Sequence, residues 1–137
     1  MGEIRVKVLI TNAVDDELVR TGQLGRDKVR TYEADAVVDT GAVRSVIPAH
    51  VLEKLGVSLR GRRVAEYADA RKDAVGVTGP ILIDILGRDT LEEALVRGDE
   101  VLIGQTVLEK LDLLADCANR RLVPNPAHPD QPVSKVK

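Results

Sequence analysis

The stretch Ala36–Pro48, "AVVDTGAVRSVIP", sets a carboxylate, Asp39, at the end of one apolar run and shortly before another. Thr40 and Gly41 follow it directly. A carboxylate offers general acid or base chemistry when it is held near a reacting bond. The triplet also has a plainer use: in an ordinary turn the aspartate accepts backbone N–H bonds and the glycine takes a left-handed conformation. Taken alone, Asp-Thr-Gly favours the turn. The other reactive side chains offer less. Cys117 is the single cysteine, which excludes an internal disulfide and a cysteine metal cluster, and it reads as a small buried hydrophobe. With only two histidines, His50 and His128, a histidine metal site is not expected. His50 falls on the outer side of a short helix, away from catalysis. Neither a metal nor a cofactor is expected.

The chain that must position Asp39 has 137 residues, which suggests one domain. With 44% hydrophobic and 31% charged residues it reads as a soluble globular protein. Two Tyr and no Phe or Trp leave the core to Val, Leu, Ile and Ala, each burying less area than a ring, so a partner chain would add stability. A formal net charge of -2, without stacking aromatics, gives no footprint for nucleic acid. Arg60, Arg62 and Arg63 read as a solvated loop. The first ten residues alternate charged and apolar types and lack a signal-peptide core. No stretch is long enough to span a bilayer, so no membrane partner is expected and a cytoplasmic location is the default.

"EIRVKVLI" has the period of a half-buried strand, and "VRTYEADAVV", Val29 to Val38, is a second strand that passes from surface to interior. The intervening "TNAVDDELVRTGQLGRD" reads as a surface connection with room for a helical turn from Val14 to Arg20. Pro48 opens a short helix, "PAHVLEKLG", that Gly56 stops. "RRVAEYADARKDAVGV" forms a hairpin with its tip at "ADARKD", and "GPILIDILG" a strand. "DTLEEALVRG" fits a helix or a strand; the turns on either side select strand. "EVLIG" is a short apolar strand, "QTVLEKLD" a helix, and "LLADCANRRLV" a terminal hairpin turning near Ala118 and Asn119. The tail "PNPAHPDQPVSKVK" holds four of the six prolines and reads as irregular or disordered. About seven short strands and two short helices make an all-β chain, a sandwich or small barrel.

The order strand, Asp-Thr-Gly-Ala, hairpin, apolar-apolar-Gly, helix resembles the retropepsin-like (clan AA) aspartic peptidases, and most of all their short bacterial and archaeal single-domain type. "DTGAVRSVIPAHVLEKLGV" and "VLIGQTVLEKLDLLADCANRRLV" carry the likeness, which covers roughly Ile4 to Pro124. It implies a closed or sandwiched β-barrel with a flap hairpin, residues 1–124 as the peptidase domain and 125–137 as a tail. It implies Asp39 as the catalytic residue, in a loop with Thr40, Gly41 and Ala42. Leu102, Ile103 and Gly104 would support that loop from behind. Tyr67, Ala68, Asp69 and Ala70 would belong to the flap over the substrate, although Tyr67 reads equally well as a half-buried strand residue.

In that chemistry two neighbouring carboxylates share one proton; the ionised one activates a water and the protonated one polarises the scissile carbonyl. This chain has one Asp-Thr-Gly, so the resemblance implies a homodimer in which two copies of Asp39 meet. The substrate would be a peptide or an unfolded protein segment. The sequence departs from viral members in its Pro-rich C-terminus, in a flap tip without glycine and in Gln105 where an arginine is frequent. A silent dimerisation or peptide-binding module is the alternative reading, and an Asp39 that only caps a turn the third.

Overall fold

Alternating apolar residues make the first two strands pair. β1 (Ile4–Asn12) turns Ile4, Val8 and Ile10 inward, and β2 (Thr31–Val38) runs antiparallel to it, with Val8 opposite Ala34 and Ile4 opposite Val38. The computed structural model describes residues 3–136; positions 1, 2 and 137, the outermost of the expected domain and tail, lie outside it.

The connection between these strands contains a full helix, α1 (Ala13–Arg20), where the sequence suggests a turn at most. Its start is fixed by Asn12. The Asn12 amide oxygen accepts the Asp15 N–H at 3.0 Å, and the amide nitrogen donates to the Leu55 carbonyl at 2.8 Å. Asp15 is buried and accepts the backbone N–H of Arg30 at 3.0 Å and two guanidinium nitrogens at 2.9 and 3.0 Å. Among the described residues there are thus three α-helices rather than two.

After the Asp39 loop come β3 (Val46–Ile47) and α2 (Ala49–Leu55), which ends at Gly56 with φ 65°. The hairpin of β4 (Leu59–Glu66) and β5 (Lys72–Thr78) follows, then β6 (Ile81–Ile85), β7 (Arg88–Glu92), β8 (Leu95–Val96) and β9 (Leu102–Ile103). The chain closes with α3 (Gln105–Leu111), β10 (Leu113–Asp116) and β11 (Arg121–Pro124). Among the described residues there are eleven strands where the sequence suggests about seven, and β3, a two-residue strand made by tertiary pairing, is one it does not suggest. The "DTLEEALVRG" run also splits, where the Ala94 N–H turns aside to the Thr78 hydroxyl at 3.0 Å.

Nine strands form one sheet in the order β4-β5-β8-β3-β9-β2-β1-β6-β7, and β10 and β11 pair separately. The sheet curls into a half-barrel around a ring-free core that includes Ile10, Ile47, Leu55, Ile83, Ile103 and Leu111. It does not close, contrary to the expected closed or sandwiched barrel. At one edge α3 covers β7, with the Lys110 ammonium donating to the Leu91 carbonyl at 2.6 Å and the Glu92 carboxylate at 2.9 Å. At the other edge only Gly76 and Val77 of β5 pair with β8, so the β4–β5 hairpin projects past the sheet. Arg60, Arg62 and Arg63 lie on exposed β4 rather than in a loop, and Cys117 is exposed in the β10–β11 turn rather than buried.

Residues 125–136 form no helix or strand, yet they are tied down as far as Val133. The Asp112 carboxylate accepts from the Asn125 amide at 3.0 Å and the Val133 N–H at 3.1 Å, and the His128 ring nitrogen lies 2.6 Å away. The Asn125 bond, with the others, holds the Asp112 carboxyl below the usual range. Buried Arg88 donates to the carbonyls of Leu111, Asp112 and His128.

The side-chain bond from Arg30 holds the Asp15 carboxyl below the ordinary aspartate range, against burial, which pushes it up. A depressed folded value stabilises the fold above the unfolded value, near 3.9, and that stability is lost as pH falls through the folded value. Asp15→Asn is therefore expected to lower the urea midpoint at neutral pH and to flatten its decline below about pH 4. Urea titrations from about pH 7 to about pH 3, compared with wild type, check both effects.

Candidate active site

Parallel pairing of β2 with β9 decides where Asp39 goes. Val37 and Val38 stand opposite Leu102 and Ile103, and β9 is flanked on its other side by β3. The Val37 N–H donates to the Val101 carbonyl, and the Asp39 N–H to the Ile103 carbonyl, both at 2.9 Å. The backbone of Asp39 is therefore the last fixed point of the strand, and its side chain projects from the loop that follows.

That loop is braced from within and from behind. The Asp39 carboxylate accepts the Gly41 N–H at 3.0 Å, and the Ala42 N–H donates to the Asp39 carbonyl at 3.2 Å. The carbonyls of Ala42 and Val43 accept the N–H groups of Gln105 and Thr106, at 2.7 and 3.2 Å. These are first-turn donors of α3 that no helical carbonyl can satisfy. Gly104 packs so closely that a Cβ there would lie 2.6 Å from the Arg44 carbonyl and 2.9 Å from the Val43 oxygen. Its N–H donates to the hydroxyl of fully buried Ser45 at 2.9 Å. Leu102, Ile103 and Gly104 thus form the backing of the Asp39 loop.

In front of the loop lies a groove of about 460 Å³. Asp39, Gly41 and Ala42 line it from the loop, and Val64, Tyr67 and Ala68 from the projecting hairpin. The hairpin tip is a tight turn: the Tyr67 N–H donates to the Arg71 carbonyl at 2.8 Å, the Ala70 N–H to the Tyr67 carbonyl at 2.9 Å, and the Asp69 carboxylate accepts the Arg71 N–H at 3.0 Å. Ala70 takes φ 68°, a left-handed conformation that usually falls to glycine. The Tyr67 ring carries the Arg71 guanidinium at 4.7 Å and the Arg97 guanidinium at 4.6 Å. Asp69 and Ala70 sit exposed at the tip and do not line the groove. Asp39, Thr40 and Gly41 are exposed as well, and among the described residues the Thr40 hydroxyl has no hydrogen-bond partner.

Sequence reasoning missed Ser45, Arg44 and Arg97. A small polar residue directly before the apolar "VIP" was the available signal for Ser45. For Arg97 there was none, because only the fold brings "VRG" to the hairpin tip. Among the described residues no group of three or more His, Cys, Asp or Glu side chains is placed to hold a metal ion, and no helix is long and apolar enough to cross a membrane.

No protein-family model matches the chain, and no curated protein sequence matches it. Its three-dimensional structure does have a match. The crystal structure of the retroviral protease-like domain of Ddi1 from Leishmania major aligns over 92% of this chain and 90% of that one, with a TM-score of 0.58 and 18% sequence identity. This chain has the retropepsin-like fold. In a retropepsin-like frame, the loop that carries Asp39 and the hairpin that overhangs it face each other across one groove.

Two substitutions test the bracing. Gly104→Ala is expected to destabilise the fold by about 1–3 kcal/mol, because the backbone it meets cannot give way. Ser45→Ala is expected to cost about 1–3 kcal/mol by leaving the buried Gly104 N–H unpaired. Urea unfolding of both variants beside Thr40→Ala, which removes an exposed hydroxyl, gives the comparison.

Proposed function

We propose that this protein is a homodimeric aspartic endopeptidase in which two copies of Asp39 activate a water against a peptide bond. The observation that carries the reading is the setting of Asp39. It ends a fixed strand, among the described residues its carboxylate accepts one hydrogen bond, from the Gly41 N–H, and it lies exposed under an overhanging hairpin in a groove of about 460 Å³. One exposed carboxylate does not supply both a base and an acid. A second copy set against the first would supply the other, and the exposed rim of Thr40, Gly41 and Val43 suits such a contact, Val43 being an apolar side chain 68% exposed.

The chemistry then runs without a metal. Two adjacent carboxylates share one proton. The ionised one takes a proton from water as the oxygen attacks the scissile carbonyl carbon. The protonated one gives its proton to the carbonyl oxygen, and the tetrahedral species breaks its C–N bond as the amine is protonated. In this reading the Gly41 N–H steadies the charge on Asp39, and the Tyr67 hairpin excludes water from the closed groove. The two apparent pKa values belong to the pair.

One observation favours a second reading, a dimerisation or peptide-binding module without turnover. The hairpin tip is stiffened by the Ala70 turn and by the two guanidinium groups on Tyr67, which suits holding a strand more than releasing products.

Purified wild type and Asp39→Asn are compared on a diverse peptide mixture, read by mass spectrometry. Wild type is expected to give fragments over a bell-shaped pH range, and Asp39→Asn to give at least about 1000-fold fewer, as for loss of an acid–base group that acts as a unit. Its circular dichroism spectrum should be unchanged. Equal cleavage by both proteins would contradict the assignment of Asp39. No cleavage by either, with peptide still bound, would favour the binding module.

A further inference from the structure

Four charged side chains line the groove: Asp39, Arg44, Glu66 and Arg97. Arg44 is already answered, since it donates to the Glu93 carbonyl at 3.1 Å and to the Glu93 carboxylate at 3.2 Å. Arg97 is not: among the described residues it has no carboxylate partner, and its guanidinium makes no hydrogen bond. The group is nevertheless held in place. Its backbone N–H donates to the Ile47 carbonyl at 3.1 Å where β8 ends, and Gly98, with φ 71°, turns the chain away directly after it. The guanidinium lies over the Tyr67 ring, 4.6 Å from the centroid. Among the described residues no acceptor takes the guanidinium's N–H donors, and they present a fork that matches a carboxylate. The chain as a whole carries a net charge of -2, so an unanswered cation in the groove is a local feature and not a spillover of a basic surface.

We propose that Arg97, held over the Tyr67 ring at the groove, is a specificity-determining residue that receives an acidic side chain of the bound peptide. The inference rests on the reading of this groove as a peptide site, and it names the substrate class: extended peptides that carry Asp or Glu at one fixed position. Tyr67 orients the guanidinium, and Arg97 supplies charge-assisted donors that a glutamine cannot engage as strongly.

The test separates this subsite from the peptidase activity. Capped nonapeptides, otherwise uncharged, carry one Glu, one Gln or one Lys at each position in turn. Binding is measured by fluorescence anisotropy to Asp39→Asn and to Asp39→Asn with Arg97→Glu, and cleavage is measured with wild type and with Arg97→Glu. The expected result is a single position at which Glu binds about tenfold tighter than Gln, the size of one partly exposed charge-assisted bond. With Arg97→Glu that preference should vanish, and Lys at the same position should become favoured. A Glu preference without cleavage by wild type would sustain the subsite and remove the peptidase. Cleavage with no Glu preference, or a preference that survives Arg97→Glu, would overturn the subsite and leave the peptidase standing. Failure of every peptide to bind overturns the subsite as well. So does an Arg97→Glu variant that only weakens self-association in sedimentation, because Arg97 would then serve the partner copy.

Discussion

The structure depends on one pairing, the parallel contact of β2 with β9. It lasts two residues, and everything at the site hangs on it. It ends with the Asp39 N–H on the Ile103 carbonyl, which fixes where the strand stops and the loop begins. β9 is then caught between β2 and β3, so the chain after Ile103 must cross directly behind the Asp39 loop. Only a glycine passes there, since a Cβ at Gly104 would run into the backbone of Val43 and Arg44. The closeness is what lets loop carbonyls take the first N–H groups of α3 and lets Ser45 take the N–H of Gly104. The base role proposed for Asp39 calls for a carboxylate held in position, and the backbone that carries it is tied by hydrogen bonds to β9 and to α3.

The same economy explains the core. Without Phe or Trp, aliphatic side chains from β1, β2, β3, β6 and β9 meet those of α2 and α3 in one cluster, around which the sheet curls without closing. An open sheet leaves edges. β7 is covered by α3, while the β4–β5 hairpin runs free and becomes the overhang of the groove. The most exposed strand of the fold thus follows from the same feature that makes room for a ligand, and its tip meets Arg97 through Tyr67.

The Asp39 loop and the hairpin were legible in the sequence because each is a local event, whereas the place of Gly104 behind the loop came only from the family resemblance. An apolar run stops, turn residues follow, and alternation resumes on both sides of a polar tip. What stayed hidden was set by capping or by distance. α1 lacked a strong apolar stripe, and its signal was Asn12, which bonds the Asp15 N–H and also reaches Leu55. The two-residue strand β3, and the break that makes β8 a strand separate from β7, exist only through their neighbours in the sheet. Closure of the barrel was a wrong expectation because nothing local tells an edge strand from a paired one. Cys117 was misplaced for a similar reason: its turn faces out, and apolar character alone does not decide burial. The tail reads as loose from its prolines, while its hold on Asp112 comes from Asn125, His128 and Val133 acting across a span no window covers.

Whether two copies of Asp39 work together is measured most directly by mixing. Wild type and Asp39→Asn are combined in varied proportion at constant total protein, allowed to exchange subunits, and assayed on one cleaved peptide. If each active centre needs both carboxylates, activity falls as the square of the wild-type fraction. A fall in simple proportion to that fraction would mean that one Asp39 suffices, and would contradict a centre shared between two chains.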